Sequence, residues 1–450
     1  MGGSAFSSLP DPPYTPRMSR SVYQHVVPAC HAALRELFVC VATPIEGPEK
    51  KDHGDIDILV ALERRVVFPK AMDHPVQSPP HELMGAVQRV LHAKDAIIHP
   101  TGSSANLAIP WPSNMNPVFA MHDEASMMED SATNHEEPRD KYIQVDVRIC
   151  PDVDQLCWIL FKHAHGDIWN LLGSTIRPFG LTLDEEALWL RIPEIEQFDR
   201  KKAKVCLSRE PVEILHFLGM KVEGFWAEPF ESVDALFDYA TTCRLFYVRA
   251  TPDDDADADA AEAGVIGGEE GRKKLRSNDR RRMKGRPVYR RWIDEFIPGL
   301  RAQGIFVRKG PGTSVEEVRC MVRDEAFARF FVELEYKQRL REWQLKKNRE
   351  HIKSVIKEQV PIDIESQRRA CLISAMRKIV MEDDSSFGTV PPGLKDRDGF
   401  YNTEAVCSFV QGNLDRVGDI AWTRQQQKAK EAILLKESSL KVEAGIEGIV

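Results

Sequence analysis

The chain has 450 residues, enough for two or three domains, and its 42% hydrophobic and 29% charged residues are the make-up of a globular protein. A formal net charge of -8 excludes a uniformly basic nucleic-acid coat while leaving room for a local basic face. No apolar run approaches the roughly 20 residues needed to cross a bilayer, so no membrane partner is expected.

The opening stretch, MGGSAFSSLPDPPYTP, has no basic region leading into an apolar core, so no secretory signal is expected. Phe6 stands where a myristoylation pattern wants Ser or Thr. Nine cysteines, an odd number with no CxxC pair, predict reduced thiols packed in cores and a cytoplasmic or nuclear compartment.

Residues 1–20, rich in Pro and Ser, predict a flexible arm. SVYQHVVPACHAALRELF, from Ser21, has helical spacing, with Pro28 as a kink or starting point. VCVAT gives a short strand, and a polar loop leads to KDHGDIDILVAL, a strand with Asp55 and Asp57 at its leading end. A helix is expected over His81–Ala93, then an extended pair turning at Gly102. Residues 112–140 are polar and Met-rich and predict an exposed insertion. YIQVDVRIC alternates strictly, with Ile143, Val145, Val147 and Ile149 on one face and Tyr142, Gln144, Asp146 and Arg148 on the other. DVDQLCWILFKHAH predicts a helix stopped at Gly166, and GLTLDEEALWLRI a hairpin. SREPVEILHFLG predicts a helix capped by Ser208 and ended at Gly219.

From Thr251 an acidic, small-residue stretch cannot bury enough apolar surface to order itself and predicts a disordered insert. Eleven Lys or Arg follow between Arg272 and Arg291. They fit a nucleic-acid contact, an import signal, or a solvated flank neutralised by the acidic stretch. Ser314 and Glu317 predict a capping box opening a helical segment that reaches about Gln359. Further helices are expected near Ile364–Met381 and Thr403–Ser439. The expected division is an arm over 1–20, a folded domain over 21–250, an insert over 251–285 and a helical region over 286–450.

The chemistry gathers at the acidic strand. Residues i and i+2 of a strand face the same way, so Asp55 and Asp57 project together, opposite Ile56, Ile58 and Val60. Two such carboxylates repel unless a cation lies between them. A hard divalent ion, Mg²⁺ or Mn²⁺, suits all-oxygen ligands and keeps waters for phosphate oxygens to replace. Asp146 has the type and the facing to complete a two-metal site for phosphoryl or nucleotidyl transfer. The other metal-dependent DxD chemistry, glycosyl transfer, places the acid pair at the end of an apolar strand, whereas here the apolar run follows it. A metal set from His163, His165 and Asp167 is disfavoured, since i and i+2 on a helix do not face one ion.

Helix, short strand, loop, DID strand, helix, strand, then a strand with one Asp: this order resembles the DNA polymerase β-type nucleotidyltransferase superfamily. More distantly, GDIDILV, YIQVDVRIC, HGDIWNLLGSTIRPFGLTLDEEALWLRI and SREPVEILHFLG look like a group of fungal and phage-type proteins of that fold. The resemblance covers roughly residues 22–250. It implies an α+β fold, a nucleotidyltransferase-like mixed sheet flanked by helices, followed here by a helical C-terminal region. It implies Asp55, Asp57 and Asp146 as metal-binding and catalytic residues and a nucleoside triphosphate as substrate, with an RNA or protein hydroxyl as one kind of acceptor. The family's Gly-Ser pair is replaced by Ala42-Thr43, with eleven residues between Thr43 and Asp55. Thr43 keeps a hydroxyl for a phosphate oxygen, and Lys50, Lys51 and His53, with Gly54 in the turn, are the other expected nucleotide contacts. A catalytically silent member that binds nucleotide, RNA or a protein is the alternative, favoured by Ala42.

Overall fold

The computed structural model describes residues 3–69, 77–113, 140–249, 265, 267–274, 277–306, 314–391 and 393–446. The chain divides into two compact units, the first made of residues 1–196 and 200–332, the second of residues 197–199 and 333–450. The expected insertion over 112–140 falls mostly outside the described residues, as does the acidic stretch Thr251–Gly264.

The first unit is built on a mixed five-stranded sheet in the order β2 (Phe38–Ala42), β4 (Ile56–Glu63), β7 (Tyr142–Ile149), β6 (Ser104–Pro110), β5 (Asp95–Ile98). Only β4 and β7 run parallel among these neighbours. The protein is therefore α+β. Alternation fixes the two faces. Ile56, Ile58 and Val60 of β4 and Ile143, Val145 and Val147 of β7 are all buried in one core. The helices Arg20–Leu34 and Pro80–Val90 cover that face with Val22, Val26, Leu34, Met84 and Val87. The first of these helices starts at Arg20 under a Ser19 cap and runs on through Pro28, so Pro28 is not its start. β5 and β6 turn at Gly102 (φ +72°), where a Cβ would stand 2.8 Å from the His81 nitrogen.

The opposite face is only half covered. The helix Val153–His163 packs on β4 and buries Leu59 and Ala61. It stops before the leading end of β4, and the polar side chains of β4, β7 and β6 are left facing a cleft.

The opening residues are not a loose arm. Phe6 and Met18 are buried, and β1 (Met18–Ser19) pairs with β3 (Asp52–His53). The Ala5 amide donates to Gln144 Oε1, and Gly3 lies so close to Gly54 that a Cβ would stand 2.5 Å from the Gly54 oxygen. A second, antiparallel sheet of β8 (Leu181–Leu183), β9 (Leu188–Arg191) and β10 (Lys204–Ser208) includes the expected hairpin. Ser208 ends β10 rather than capping the next helix, Pro211–Phe217, whose N-cap is Glu210; its hydroxyl accepts from the Glu210 amide and donates to Glu213. Helices between Gly268 and Phe330 complete the first unit, with Tyr289 and Trp292 fully buried.

The second unit is helical, with Glu333–Gln359, Ser366–Glu382, Thr403–Gly412 and Leu414–Ile446 around a core that includes Ile352, Ile356, Met376, Ile379 and Val410. Among the described residues no helix is long and apolar enough to cross a membrane.

Candidate active site

Register brings the two separated aspartates together. Asp57 of β4 is the direct partner of Asp146 on β7, and Asp146 is the direct partner of Asn106 on β6. Neighbouring strands lie about 4.8 Å apart, so these three side chains form one row on the open face. Asp55 sits just before β4 and lines the same cleft as Asp57. Among the described residues none of the three carboxylates is in an ion pair with Lys or Arg.

Asp146 is held by amides. Asn106 Nδ2 donates to Asp146 Oδ1 at 2.6 Å and Gln144 Nε2 to the same oxygen at 2.9 Å. Gln144 is itself buried and takes the Ala5 amide on its other end, so the opening residues brace the site through it. Oδ2 takes no donor among the described residues. Burial pushes the Asp146 carboxyl up to about 6, the two amides oppose this, and the charges of Asp57 and Asp55 add to it. The Asp57 residue is exposed, but the protein packed around its carboxyl raises it and Asp55 raises it further, against His163 and Lys50.

Two cavities meet at Asp57. One, of about 400 Å³, lies over β7, β6 and β5 and includes Asp57, Asp146, Asn106, Arg148 and His163. The other, of about 440 Å³, includes Thr43, Lys50, Asp55, Asp57 and again His163. His163 is exposed at the end of its helix, 3.8 Å from Glu185 Oε2. It does not join His165, which is fully buried and donates from Nε2 to the Phe225 carbonyl at 2.7 Å.

The expected nucleotide contacts divide. Thr43 follows β2 and lines the cleft, but its hydroxyl is 2.8 Å from His31 Nε2. Ala42 is the last residue of β2, paired with Leu59. Lys50 lines both the cleft and a neighbouring cavity and lies 3.7 Å from Glu46. Lys51 is exposed and lines neither cavity that meets at Asp57, and Gly54 is buried under Gly3. His53 is not a phosphate contact. It is fully buried, stacked on Tyr23 at 3.9 Å, and 2.9 Å from Glu46 Oε1 without the alignment of a hydrogen bond.

Two arginines that no local reading of the sequence attached to the site lie on it. Arg282 and Arg286, from the basic run, line the same cavity as Asp55 and Asp57. Arg286 pairs with Asp167, and elsewhere in the run Arg272 pairs with Asp294 and Arg291 with Asp234. A separation of well over 200 residues from Asp55 gives no short-range signal for this approach.

Among the described residues no group of three or more His, Cys, Asp and Glu stands at metal-ligating spacing. The donor chemistry nevertheless fits a hard divalent ion: carboxylate oxygens only, raised proton affinity on two of them, and no basic side chain between them. No protein-family model matches the chain, and no curated protein matches it.

Proposed function

We propose that the protein is a metal-dependent nucleotidyltransferase, with the nucleotidyltransferase-like fold that its sequence resembles. It moves a nucleotide from a nucleoside triphosphate to a hydroxyl. The observation that carries this reading is the in-register placement of Asp57 beside Asp146, with Asp55 at the same cleft. Asp55 and Asp57 would hold two Mg²⁺ or Mn²⁺ ions, and Asp146 the one nearer the acceptor. Such ions, when bound, lower the pKa of the attacking hydroxyl and neutralise charge on the phosphorus oxygens. In the transfer the acceptor oxygen bonds to the α-phosphorus, the bond from that phosphorus to the bridging oxygen breaks, pyrophosphate leaves with the electron pair, and the hydroxyl proton goes to water. Asn106 and Gln144 fix the Asp146 carboxylate so that little is lost in ordering it at the moment of reaction.

A second reading keeps the fold and drops the chemistry. It is favoured by Ala42-Thr43, where the Thr43 hydroxyl is already engaged by His31. Incubation with labelled nucleoside triphosphates, Mg²⁺ or Mn²⁺ and bulk RNA separates the two. The transferase reading predicts incorporation that Asp55→Ala abolishes. Tight nucleotide or RNA binding with no turnover by the wild-type chain supports the silent member instead.

A further inference from the structure

The cavity beside Asp55 and Asp57 is lined by four further cations, interleaved with Glu46 and Glu185. Lys50 comes from the loop after β2, Lys162 from the helix Val153–His163, and Arg282 and Arg286 from the basic run. Three separate parts of the chain thus deliver positive charge to one space. The amino end of the helix Ile168–Ile176 opens on the same space through Gly166 and Asn170. The dipole of a helix favours anions at its amino end.

Each of these cations has an acidic neighbour: Glu46 for Lys50, Glu185 for Lys162, Asp279 for Arg282 and Asp167 for Arg286. The pairs of Lys50 and Arg286 do not close the site to an anion. The Lys50 and Arg286 side chains are 42% and 48% exposed, and ion pairs that solvated contribute little. A ligand with several adjacent charges can displace single carboxylates, and a guanidinium binds phosphate through two parallel hydrogen bonds.

We infer that Lys50, Lys162, Arg282 and Arg286 form a polyphosphate-binding wall, and that the basic run folds back to supply the phosphate contacts that Ala42-Thr43 is poorly equipped to make. The ligand chemistry is a chain of linked phosphates, carried by a nucleoside triphosphate or free. The inference rests on the transferase reading for its purpose in catalysis, but phosphate binding is measured separately from turnover. The ion pair with Asp167 acts as a competitor: Arg286 is shared between that carboxylate and the ligand. Asp167 also accepts from Asn170 Nδ2 at 2.8 Å through Oδ1, a bond that an asparagine can keep.

The test is calorimetric titration of the full chain with inorganic tripolyphosphate and with a nucleoside triphosphate, in Mg²⁺ at fixed low salt. The wild-type chain binds tripolyphosphate, and Arg282→Gln and Arg286→Gln each weaken binding on the order of tenfold. Arg286→Lys recovers part of the loss. Asp167→Asn tightens binding, a change of sign that a merely structural role for the pair does not give. Tighter binding of the nucleoside triphosphate than of tripolyphosphate assigns the nucleotide as the source; the reverse order assigns free polyphosphate. Absence of tripolyphosphate binding by the folded wild-type chain, or unchanged affinity in both glutamine variants with native circular dichroism, overturns the inference. Arginine-dependent binding without nucleotide incorporation leaves this wall standing and removes the transferase reading.

Discussion

Asp146 is where the competing forces on a single residue are clearest. Burial and two neighbouring carboxylates raise its carboxyl to about 6, against the usual value near 3.9, so the folded chain holds this proton more tightly than the unfolded chain. Stability therefore falls as pH rises between about 4 and 6, and the penalty is fully present above that window. In metal-free protein, Asp146→Asn is expected to raise the unfolding free energy by up to about 2–3 kcal/mol at pH 8. It should make a difference of only a few tenths of a kcal/mol near pH 3.5, where Asp146 is protonated in the folded chain and mostly so in the unfolded one. Denaturant melts of both chains in EDTA at the two pH values check this. The pairing of Asp146 with Asp57 was legible because strict alternation in YIQVDVRIC leaves one choice of face, and the aliphatic set had to go inward. Its amide partners were less so. Gln144 was on the right face, but nothing local ties Asn106 or Ala5 to it, since those contacts depend on strand order and on the docking of the opening residues.

The start of the helix Val315–Phe330 followed from its cap. The Ser314–Glu317 box forms in full, each partner bonding the other's backbone. Ser314→Ala is expected to cost about 1 kcal/mol, measured as a shift in the denaturation midpoint; an unchanged midpoint would show that the cap carries no load. The segment that this box opens was expected to run to about Gln359, yet it breaks at Phe331, which takes φ +56° with neither Gly nor Pro to announce it. Non-glycine residues seldom take that conformation, so composition does not mark the break. Ser208 is the converse case. Its chemistry is that of a cap, but pairing with Leu188 claims it for β10 and moves the cap to Glu210. The opening segment misled for a compositional reason. Pro and Ser predict a loose arm, whereas Phe6 and Met18 each find a buried place and the short pairing with β3 fixes the rest.

Over the whole molecule, the first compact unit extends to Val332 and takes in the helices that follow the acidic stretch. Composition marked that stretch as a break, and a change of composition reads naturally as the end of a domain. The chain nevertheless returns, and the buried Tyr289 and Trp292 anchor the return. This is how Arg282 and Arg286 reach a cleft formed by residues near the start of the chain. The proposed chemistry requires that Asp55, Asp57 and Asp146 share divalent cations. Its most direct test is titration of the metal-stripped full chain with Mn²⁺, free ion being read by electron paramagnetic resonance, for wild type, Asp57→Asn and Asp146→Asn. Saturable Mn²⁺ binding by the wild-type chain and a loss of at least about tenfold in affinity in each variant are expected; three superimposable isotherms, or no binding by the folded wild type, would rule out shared cations.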